Sequence, residues 1–222
     1  MKITLWVLPL ISILLVAGCQ TPGTFNASDF TPPNAQDISV QDADFNGDGI
    51  SEKVLYYKSD DTVDSQSKTT NQHLLVISNE NSQWQTVKED AFANSNKAVL
   101  RFLRDHQVVD INNDGNQELL VQWSYERPMP SIGSYNIVTV INGEYKILDA
   151  PKLNNLEYLD IESGEAEMHL RSILATRNGI EENYTIYCQE DMEGKPMSNL
   201  YEKSCRELKI TVTLDNGTLI RQ

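Results

Sequence analysis

The sequence predicts an all-β fold with a propeller-like repeat of about three four-stranded units. Two acidic loops, residues 44–52 and 110–118, both fit the pattern D-x-N-x-D-G-x-x-E. Runs rich in β-branched and aromatic residues follow both loops in the same order, and such runs favour strands. Asn-Gly pairs, which favour tight two-residue hairpins, occur near the end of the second and third units. A repeated unit of this size is typical of a propeller blade or a related β-array.

The first unit covers about residues 38–87 and supplies four predicted strands. Residues 38–40 lead into the first acidic loop, and residues 53–58, which are rich in β-forming side chains, follow it. After a polar stretch, residues 73–78 form the third strand. Residues 83–87 form the fourth, in which polar and apolar residues alternate. The acidic loop is therefore expected between the first and second strands of the unit.

The second unit covers about residues 106–148 and repeats this order. Residues 106–109 lead into the second acidic loop, and residues 119–125 follow it. Residues 135–141 come after a turn rich in Pro and Gly, and an Asn-Gly hairpin connects them to residues 145–148. The second acidic loop is thus expected at the same point of its unit as the first.

The segment between the first two units, residues 88–103, allows a short helix. Its apolar positions, Phe92, Val99, Leu100 and Leu103, can share one helical face. This would be the one substantial helix after the N-terminal segment.

A weaker third unit covers about residues 156–222. Its acidic loop, residues 160–167, is one residue short and has no Asp at the fifth position, so we expect it to bind no metal. Chance similarity is the alternative interpretation of this third match. The predicted strands of this unit are residues 156–159, 168–174, 208–214 and 218–220, with a long insertion between the second and the third.

The two complete acidic loops predict calcium sites. The side-chain oxygens at positions 1, 3, 5 and 9 can converge on one hard cation, and the backbone carbonyl at position 7 adds a further ligand. Glycine at position 6 permits the sharp turn that this convergence needs. An EF-hand would need Glu at position 12 between two helices, whereas this position is Leu55 or Val121 in a predicted strand. Solvated turns without metal are the alternative, because Asp, Asn and Gly all favour turns.

These loops resemble the FG-GAP and VCBS repeats of integrin α-subunit-type propellers and of many bacterial surface proteins. In that family the cation lies in the turn between the first two strands of a blade, and the ninth position is often Asp rather than Glu. The resemblance implies two Ca²⁺ sites, in which the ion stabilises the turn or, alternatively, organises a partner site. The implied ligands are Asp44, Asn46, Asp48, the Ile50 carbonyl and Glu52 in the first loop, and Asp110, Asn112, Asp114, the Asn116 carbonyl and Glu118 in the second.

The number of units limits how the repeat can close. The smallest closed propellers have about four blades. Three units therefore imply an open or incomplete propeller, a β-sandwich-like arrangement, or closure by association with a second chain.

The N-terminus predicts export and a lipid anchor. Residues 1–18 have the basic start and short apolar run of a signal peptide, and this run is too short for an ordinary membrane span. Residues 15–19, Leu-Val-Ala-Gly-Cys, resemble the bacterial lipobox, which implies cleavage before Cys19 and acylation of its thiol and its new amine. An ordinary secretory signal is the alternative. Residues 19–37 are then the lipidated cysteine and a flexible tether, and residues 38–222 are the calcium-binding domain.

Composition and anchoring together predict the location and the partners. Several acyl chains on one residue anchor stably, so the membrane is the first expected partner. The expected location is the cell envelope, at the outer membrane facing the periplasm or the surface if the host is Gram-negative. A formal net charge of −14 argues against nucleic acid as a partner. Export also allows a disulfide between Cys188 and Cys205, with two free thiols as the alternative.

The sequence contains no recognisable catalytic constellation, so we predict that the chain is not an enzyme. His73, His106 and His169 are scattered, and none has a second His or Cys at metal-ligand spacing. The sequence therefore predicts a binding or scaffolding module with a protein or glycan partner in the envelope. The alternatives are an envelope hydrolase with an unrecognised active site and a structural subunit of an envelope complex.

A candidate ligand surface follows the second loop. Trp123, Tyr125 and Arg127 lie at a strand-to-loop transition, where binding residues tend to gather. The alternative is that the two aromatic side chains alternate with polar neighbours because one face of their strand is buried.

Overall fold

A computed structural model of the chain describes residues 23–64, 67–80, 83–92, 101–125, 132–153, 158–160, 165–188 and 205–222. Over these ranges the protein is all-β, with twelve strands in three four-stranded antiparallel sheets. A single 3-10 turn at Ala27–Asp29 is the one helical element that they contain. Within the same ranges, no helix has the length and apolar character needed to cross a membrane. The predicted all-β class with three four-stranded units is therefore confirmed.

Sheet 1 contains the first four strands in chain order. Val54 and Leu55 on its second strand project to opposite faces, as the alternation of side chains along a strand requires. Leu55 pairs with Val40 on one side and with Leu75 on the other, which fixes the register of the outer face. The strands are β1 (Gln36–Ala43), β2 (Glu52–Asp64), β3 (Ser67–Glu80) and β4 (Gln83–Phe92).

Sheet 2 repeats this order with the next four strands. The turn between its last two strands contains Asn142 and Gly143, with φ values of 53° and 78°. Positive φ at both central residues is the type I′ hairpin geometry that Asn-Gly favours. The strands are β5 (Arg101–Val109), β6 (Glu118–Tyr125), β7 (Ile132–Ile141) and β8 (Glu144–Asp149).

Sheet 3 also pairs neighbours along the chain, in the order β12-β11-β10-β9. Its last hairpin has Asn216 and Gly217 at φ values of 47° and 75°, which is again the type I′ geometry. The strands are β9 (Glu165–Thr176), β10 (Gly179–Cys188), β11 (Arg206–Asp215) and β12 (Thr218–Arg221).

The three sheets pack face to face, with sheet 2 in the middle. Leu119 and Val121 of β6 face sheet 1, whereas Leu120 between them faces sheet 3. A strand buried on both faces needs a nearly continuous apolar run, and residues 119–121 supply it. The core between sheets 1 and 2 contains Ala43, Phe45, Val54, Leu74, Val76, Leu119, Val121, Trp123 and Val138. The core between sheets 2 and 3 contains Ile111, Leu120, Tyr135, Ile137, Ile173, Ile180, Val212 and Leu214.

Both outer faces of the stack are covered by segments of the same chain. Residues 25–35 pack on the outer face of sheet 1, against a cluster that includes Leu55 and Ile77. Leu153, Tyr158 and Leu159 pack on the outer face of sheet 3. We expected residues 19–37 to form a flexible tether. In the structure, residues 25–35 instead pack on the domain.

The expected helix over residues 88–103 is wrong at both ends. Strand β4 continues to Phe92, which pairs with Gln72 of β3, and β5 already begins at Arg101. The long strand β3 offers backbone hydrogen-bond partners along this edge, and such tertiary pairing overrides a weak helical pattern. Residues 93–100 lie outside the described part of the chain.

The strands of the third unit lie at other residues than the prediction gave. Residues 158–160, at the end of the predicted first strand, are turn and coil, and residues 154–157 lie outside the described ranges. Strand β10, which the prediction placed inside a long insertion, is central to sheet 3. A tight turn at Arg177 and Asn178 joins β9 to β10, so the acidic segment from residue 160 precedes the first strand of the sheet.

Candidate metal centres

The two acidic loops lie side by side at one end of sheets 1 and 2. The first joins β1 to β2 and the second joins β5 to β6, as the sequence predicts. The backbone N–H of Asp44 donates to Gln117 Oε1, and the Gln117 N–H donates to the Asp44 carbonyl, both at 2.8 Å. This reciprocal pair fixes the position of one loop against the other.

An apolar residue at the second position holds each loop on the core. Phe45 and Ile111 are 0% and 1% exposed, and they enter the cores on opposite faces of sheet 2. Sequence reasoning left this position as "x", although its apolar character was visible. Burial here aims the polar side chains of positions 1, 3 and 5 away from the core.

The first residue of each loop organises the turn. Oxygens of the Asp44 carboxylate accept the N–H groups of Gly47 and Gly49, at 2.7 and 3.0 Å. In the second loop, Asp110 accepts the N–H groups of Asp114 and Gly115, both at 3.1 Å. The position-6 glycines have φ values of 80° and 97°, which explains why glycine stands there.

The third and fifth positions also accept backbone N–H groups. Asn46 Oδ1 accepts the Asp48 N–H at 2.9 Å, and Asp48 Oδ1 accepts the Ile50 N–H at 2.7 Å. In the second loop the corresponding bonds join Asp114 to Asn112 at 3.2 Å and Asn116 to Asp114 at 2.8 Å. The two loops therefore share the hydrogen bonds of their third and fifth positions, whereas the first residue accepts from position 4 in one loop and from position 5 in the other.

The ninth residue of each loop is a buried glutamate at the start of a strand. Glu52 and Glu118 are 2% and 1% exposed. Their Oε2 atoms accept the N–H groups of Phe45 at 2.9 Å and Ile111 at 2.8 Å. Tyr145 donates its hydroxyl to Glu52 at 3.0 Å. Each glutamate thus closes its loop by bonding back to the second position.

Burial makes the charge of these two glutamates costly. Desolvation, the largest cause, and the nearby charges of Asp114 and Asp110 together raise the pKa of Glu118 to about 7, although the hydrogen bond from Ile111 acts to lower it. Desolvation also raises the pKa of Glu52, and the charge of Asp48 adds to this. Among the described residues, no Lys or Arg forms an ion pair with Glu52 or Glu118. Both sites therefore have a negative charge without a built-in cationic partner.

The polar groups of the first loop come close together without forming a closed cage. Asn46 Nδ2 lies 3.1 Å from Asp48 Oδ2 and 3.2 Å from Glu52 Oε1. In the second loop Asn112 Nδ2 lies 2.8 Å from Asp114 Oδ2. Over the described ranges, no group of three or more His, Cys, Asp or Glu side chains is arranged to hold a metal ion. The chemistry of the implied ligands still fits Ca²⁺. Positions 1, 3, 5, 7 and 9 all offer oxygen atoms, and each carboxylate has lone pairs that the backbone N–H groups do not use.

A third buried glutamate has the cation that the first two lack. Glu165 begins β9, is 7% exposed and accepts the Asp160 N–H at 2.7 Å, as Glu52 and Glu118 accept theirs. Arg206 Nε and Nη2 donate to its two carboxylate oxygens at 2.6 and 3.0 Å, and hydrogen bonding to Arg206 lowers the Glu165 pKa. Sequence reasoning missed this pair, because nothing local connects residues 165 and 206.

Of the predicted ligand surface, the structure describes the side chain of Trp123 alone. Trp123 is 5% exposed and donates to Asn136 at 2.8 Å, so it belongs to the core and not to a ligand surface. The Tyr125 side chain and Arg127 lie outside the described part, as does Cys19. The histidines lie on different sheets: His73 on β3, His106 on β5 and His169 on β9.

The predicted disulfide has partial structural support. Cys205 is disulfide-bonded, and its backbone N–H donates to the Ile186 carbonyl at 2.8 Å. Ile186 lies two residues before Cys188 on β10. The Cys188 side chain is outside the described part of the chain, so the pairing of the two cysteines stays a prediction.

Sequence reasoning also missed a buried polar network between sheets 2 and 3. Glu182 is fully buried and accepts the hydroxyls of Tyr135 and Tyr184 at 2.8 and 2.9 Å. Arg221 donates to the same carboxylate at 3.0 and 3.1 Å. The charge of Glu182 is therefore compensated within the protein. Arg221 Nη1 is buried and has no hydrogen-bond partner among the described residues.

Comparison of the chain with protein-family models, with curated proteins and with solved structures found no match. The resemblance of the two loops to FG-GAP and VCBS repeats therefore rests on the residues of the loops and on their place between the first and second strands of a sheet.

Proposed function

We propose that this chain is a lipid-anchored cell-envelope protein whose β domain is stabilised by two calcium ions and acts as a binding or scaffolding module. The observation that carries the calcium part is the contrast among three buried glutamates. Glu165, which is 7% exposed, has Arg206 as its partner. Glu52 and Glu118 are more deeply buried, at 2% and 1% exposed, and make the same kind of bond to a backbone N–H without such a cation. A bound divalent cation would supply the missing charge.

The charge of the loops supports this proposal. The first loop has carboxylates at positions 1, 5 and 9, and so does the second. Buried charges are normally paired or bound to metal, because an unpaired one is expensive to desolvate. One Ca²⁺ per loop would leave a single net negative charge and would use the oxygens of positions 1, 3, 5, 7 and 9.

We further propose that the three sheets form an open, propeller-like stack. The contacts of β5 with β9 and of β8 with β12 support this, because they place equivalent strands of sheets 2 and 3 next to each other. Residues of this chain cover both outer faces of the stack. This favours an array that ends after three units, because a second chain would need an uncovered face to add further units. A monomer in light scattering would fit the capped stack, and an obligate dimer would contradict it.

The binding role draws support from a polar cleft of about 610 Å³ beside the second loop. It lies between that loop and the last hairpins of sheets 2 and 3. Its walls carry amide and carboxylate groups that can hydrogen-bond the polar surface of a protein or glycan partner. The polar residues lining it are Asn112, Asp114, Thr139, Asn142, Asp215 and Asn216.

Counting bound calcium tests the proposal. Isothermal titration of the chain from Gln20 onward should show uptake of two Ca²⁺ ions. Asp48→Ala and Asp114→Ala should each remove one of them, because each substitution deletes a central ligand. Glu207→Ala changes an exposed acidic residue at the other end of β11, outside the cleft and both loops. It is the matched control and should keep both ions. Absence of Ca²⁺ uptake by the unmodified chain would refute the calcium sites.

Membrane fractionation tests the anchor separately. The full chain should sediment with membranes, and Cys19→Ser should release it into the soluble fraction after export. Continued sedimentation of the variant would contradict acylation at Cys19.

A further inference from the structure

Residues 23–35 form an ordered strap on the outer face of sheet 1. Phe25 stacks on Phe30 with ring centroids 5.6 Å apart, and it meets the Trp84 ring edge-on at 5.2 Å. Trp84 Nε1–H donates to the Gly23 carbonyl at 2.7 Å. The strap is therefore attached to the sheet from its first described residue onward.

The connection between this strap and the proposed lipid anchor is short. Three residues separate Cys19 from Gly23. Even a fully extended chain spans at most about 3.5 Å per residue, so the two Cα atoms lie within about 14 Å of each other. The polar layer of one leaflet is itself roughly 6 Å thick. The strap therefore cannot move far from a bilayer that holds the acyl chains of Cys19.

The strap face combines aromatic rings with little negative charge. Phe25, Phe30 and Trp84 pack on the sheet and are all half-buried, and Lys53 Nζ lies 5.5 Å from the centre of the Trp84 ring. Trp in particular prefers the boundary between headgroups and acyl chains, where its ring is apolar and its N–H is polar. The strap contains one charged residue, Asp29, in a chain whose formal net charge is −14. Close approach to phospholipid therefore costs less electrostatically here than at the acidic loops.

We propose that the strap face of sheet 1, around Phe25, Phe30 and Trp84, is held against the phospholipid surface by the short connection to Cys19. This inference rests on the proposed lipid anchor and adds an orientation to it. Stacked sheets lie about 10 Å apart, so sheet 3 stands roughly 20 Å farther from the bilayer than sheet 1. The cleft beside the last hairpin of sheet 3 then points to the envelope space, where a partner can reach it.

Quenching of tryptophan fluorescence by lipids tests this orientation. After cleavage before Cys19, the chain contains two tryptophans: Trp84 in the strap cluster and Trp123, which is 5% exposed in the core. The acylated full chain is placed in phosphatidylcholine–phosphatidylglycerol vesicles that contain a headgroup-level spin label. We expect strong quenching. Trp84→Phe keeps an aromatic ring against Phe25 and should abolish most of the quenching, because the remaining Trp123 is shielded.

Lengthening the connection provides the matched control. Inserting twelve Gly/Ser residues between Pro22 and Gly23 adds a flexible span of about 19 Å. Sedimentation with vesicles should stay the same, and the quenched fraction should fall by more than half. Equal quenching with both connections, or no quenching of the membrane-bound wild-type chain, would overturn the orientation while leaving the anchor intact. A wild-type chain that does not sediment would refute the anchor, and the orientation with it.

Discussion

Replacing Glu118 by Gln should stabilise the protein without calcium and reduce the stabilisation that calcium provides. In the calcium-free state, burial raises the Glu118 pKa from 4.5 to about 7. A folded-state pKa above the unfolded one means that stability is lost as the pH rises between these values. At about pH 8 the ionised carboxylate therefore costs the fold about 3 kcal/mol.

Glutamine removes this charge and keeps the contacts. Its Oε1 can accept the Ile111 N–H in place of Glu118 Oε2, at the observed 2.8 Å. Its amide group can donate to the Thr139 hydroxyl, which now donates to the carboxylate at 3.3 Å. Because a buried amide has its own desolvation cost, we expect a net gain of about 1–3 kcal/mol. For a domain of this size that corresponds to a Tm increase of about 3–10 °C.

Calcium should stabilise the wild-type chain more than the variant. A site held at about 100 times its Kd adds about 2.7 kcal/mol of stability. The wild-type chain should gain this at two sites, whereas the Gln variant lacks a charged ligand and should gain it at the first loop alone. The variant should thus have the higher Tm in chelator and the smaller calcium-induced increase.

Thermal unfolding of the chain from Gln20 onward at about pH 8, in chelator and then in excess CaCl₂, provides the measurement. Glu165→Gln is the matched control. It should destabilise the protein equally in both conditions, because it leaves the Arg206 guanidinium without its partner. If Glu118→Gln lowers the Tm by the same amount with and without calcium, Glu118 is an ordinary structural residue and the metal-site reasoning fails.

Three further predictions concern the loops and their surroundings. Gly47→Ala should lower the urea midpoint of unfolding more than Gly49→Ala does. Both glycines have a positive φ, so both substitutions strain the backbone. An added Cβ at Gly47 would also lie 2.2 Å from a side-chain oxygen of the second loop, whereas Gly49 faces open space. Equal midpoints would show that the loops do not press together. In the wild-type chain, the lowered pKa of Glu165 stabilises the fold at higher pH, and this contribution disappears as the carboxylate is protonated between about pH 6 and pH 3. Arg206→Ala should therefore lose less stability over this pH range than the wild-type chain does. An unchanged pH profile in urea denaturation would contradict this. Cys205→Ser should cost about 3 kcal/mol in chemical denaturation, as expected for a closed loop of roughly 17 residues, and a reductant should cost the wild-type chain the same amount but leave the variant unaffected.

Local signals in the sequence predicted much of the sheet structure. The Asn-Gly pairs at residues 142 and 216 allow positive φ at both central turn positions, and both became type I′ hairpins. The two acidic loops lie between the first and second strands, as their flanking β-forming runs indicate. In each case a few neighbouring residues determine the conformation, so a single sequence contains enough information.

Features that depend on distant partners were not predictable in the same way. Strand β10 was predicted to be part of an insertion, because its own residues do not indicate that it pairs with β9 and β11. Phe25 and Phe30 looked like isolated aromatics in a polar tether until the outer face of sheet 1 was known to lie beneath them. The partner of Glu165 is 41 residues away along the chain. Composition alone could not show which glutamate had an internal cation and which did not.

Hydrogen bonding between strands in this protein joins chain neighbours throughout the described sheets, from β1 with β2 to β11 with β12. In the described part of the chain no strand is exchanged between sheets, so each sheet can form from successive hairpins. Short-range closure costs little chain entropy and favours fast assembly. The formed sheets then pack on one another through their apolar side chains, and this packing is the slower second step of folding. A substitution such as Leu120→Ala should consequently loosen the layering and speed unfolding more than it delays the formation of any single layer.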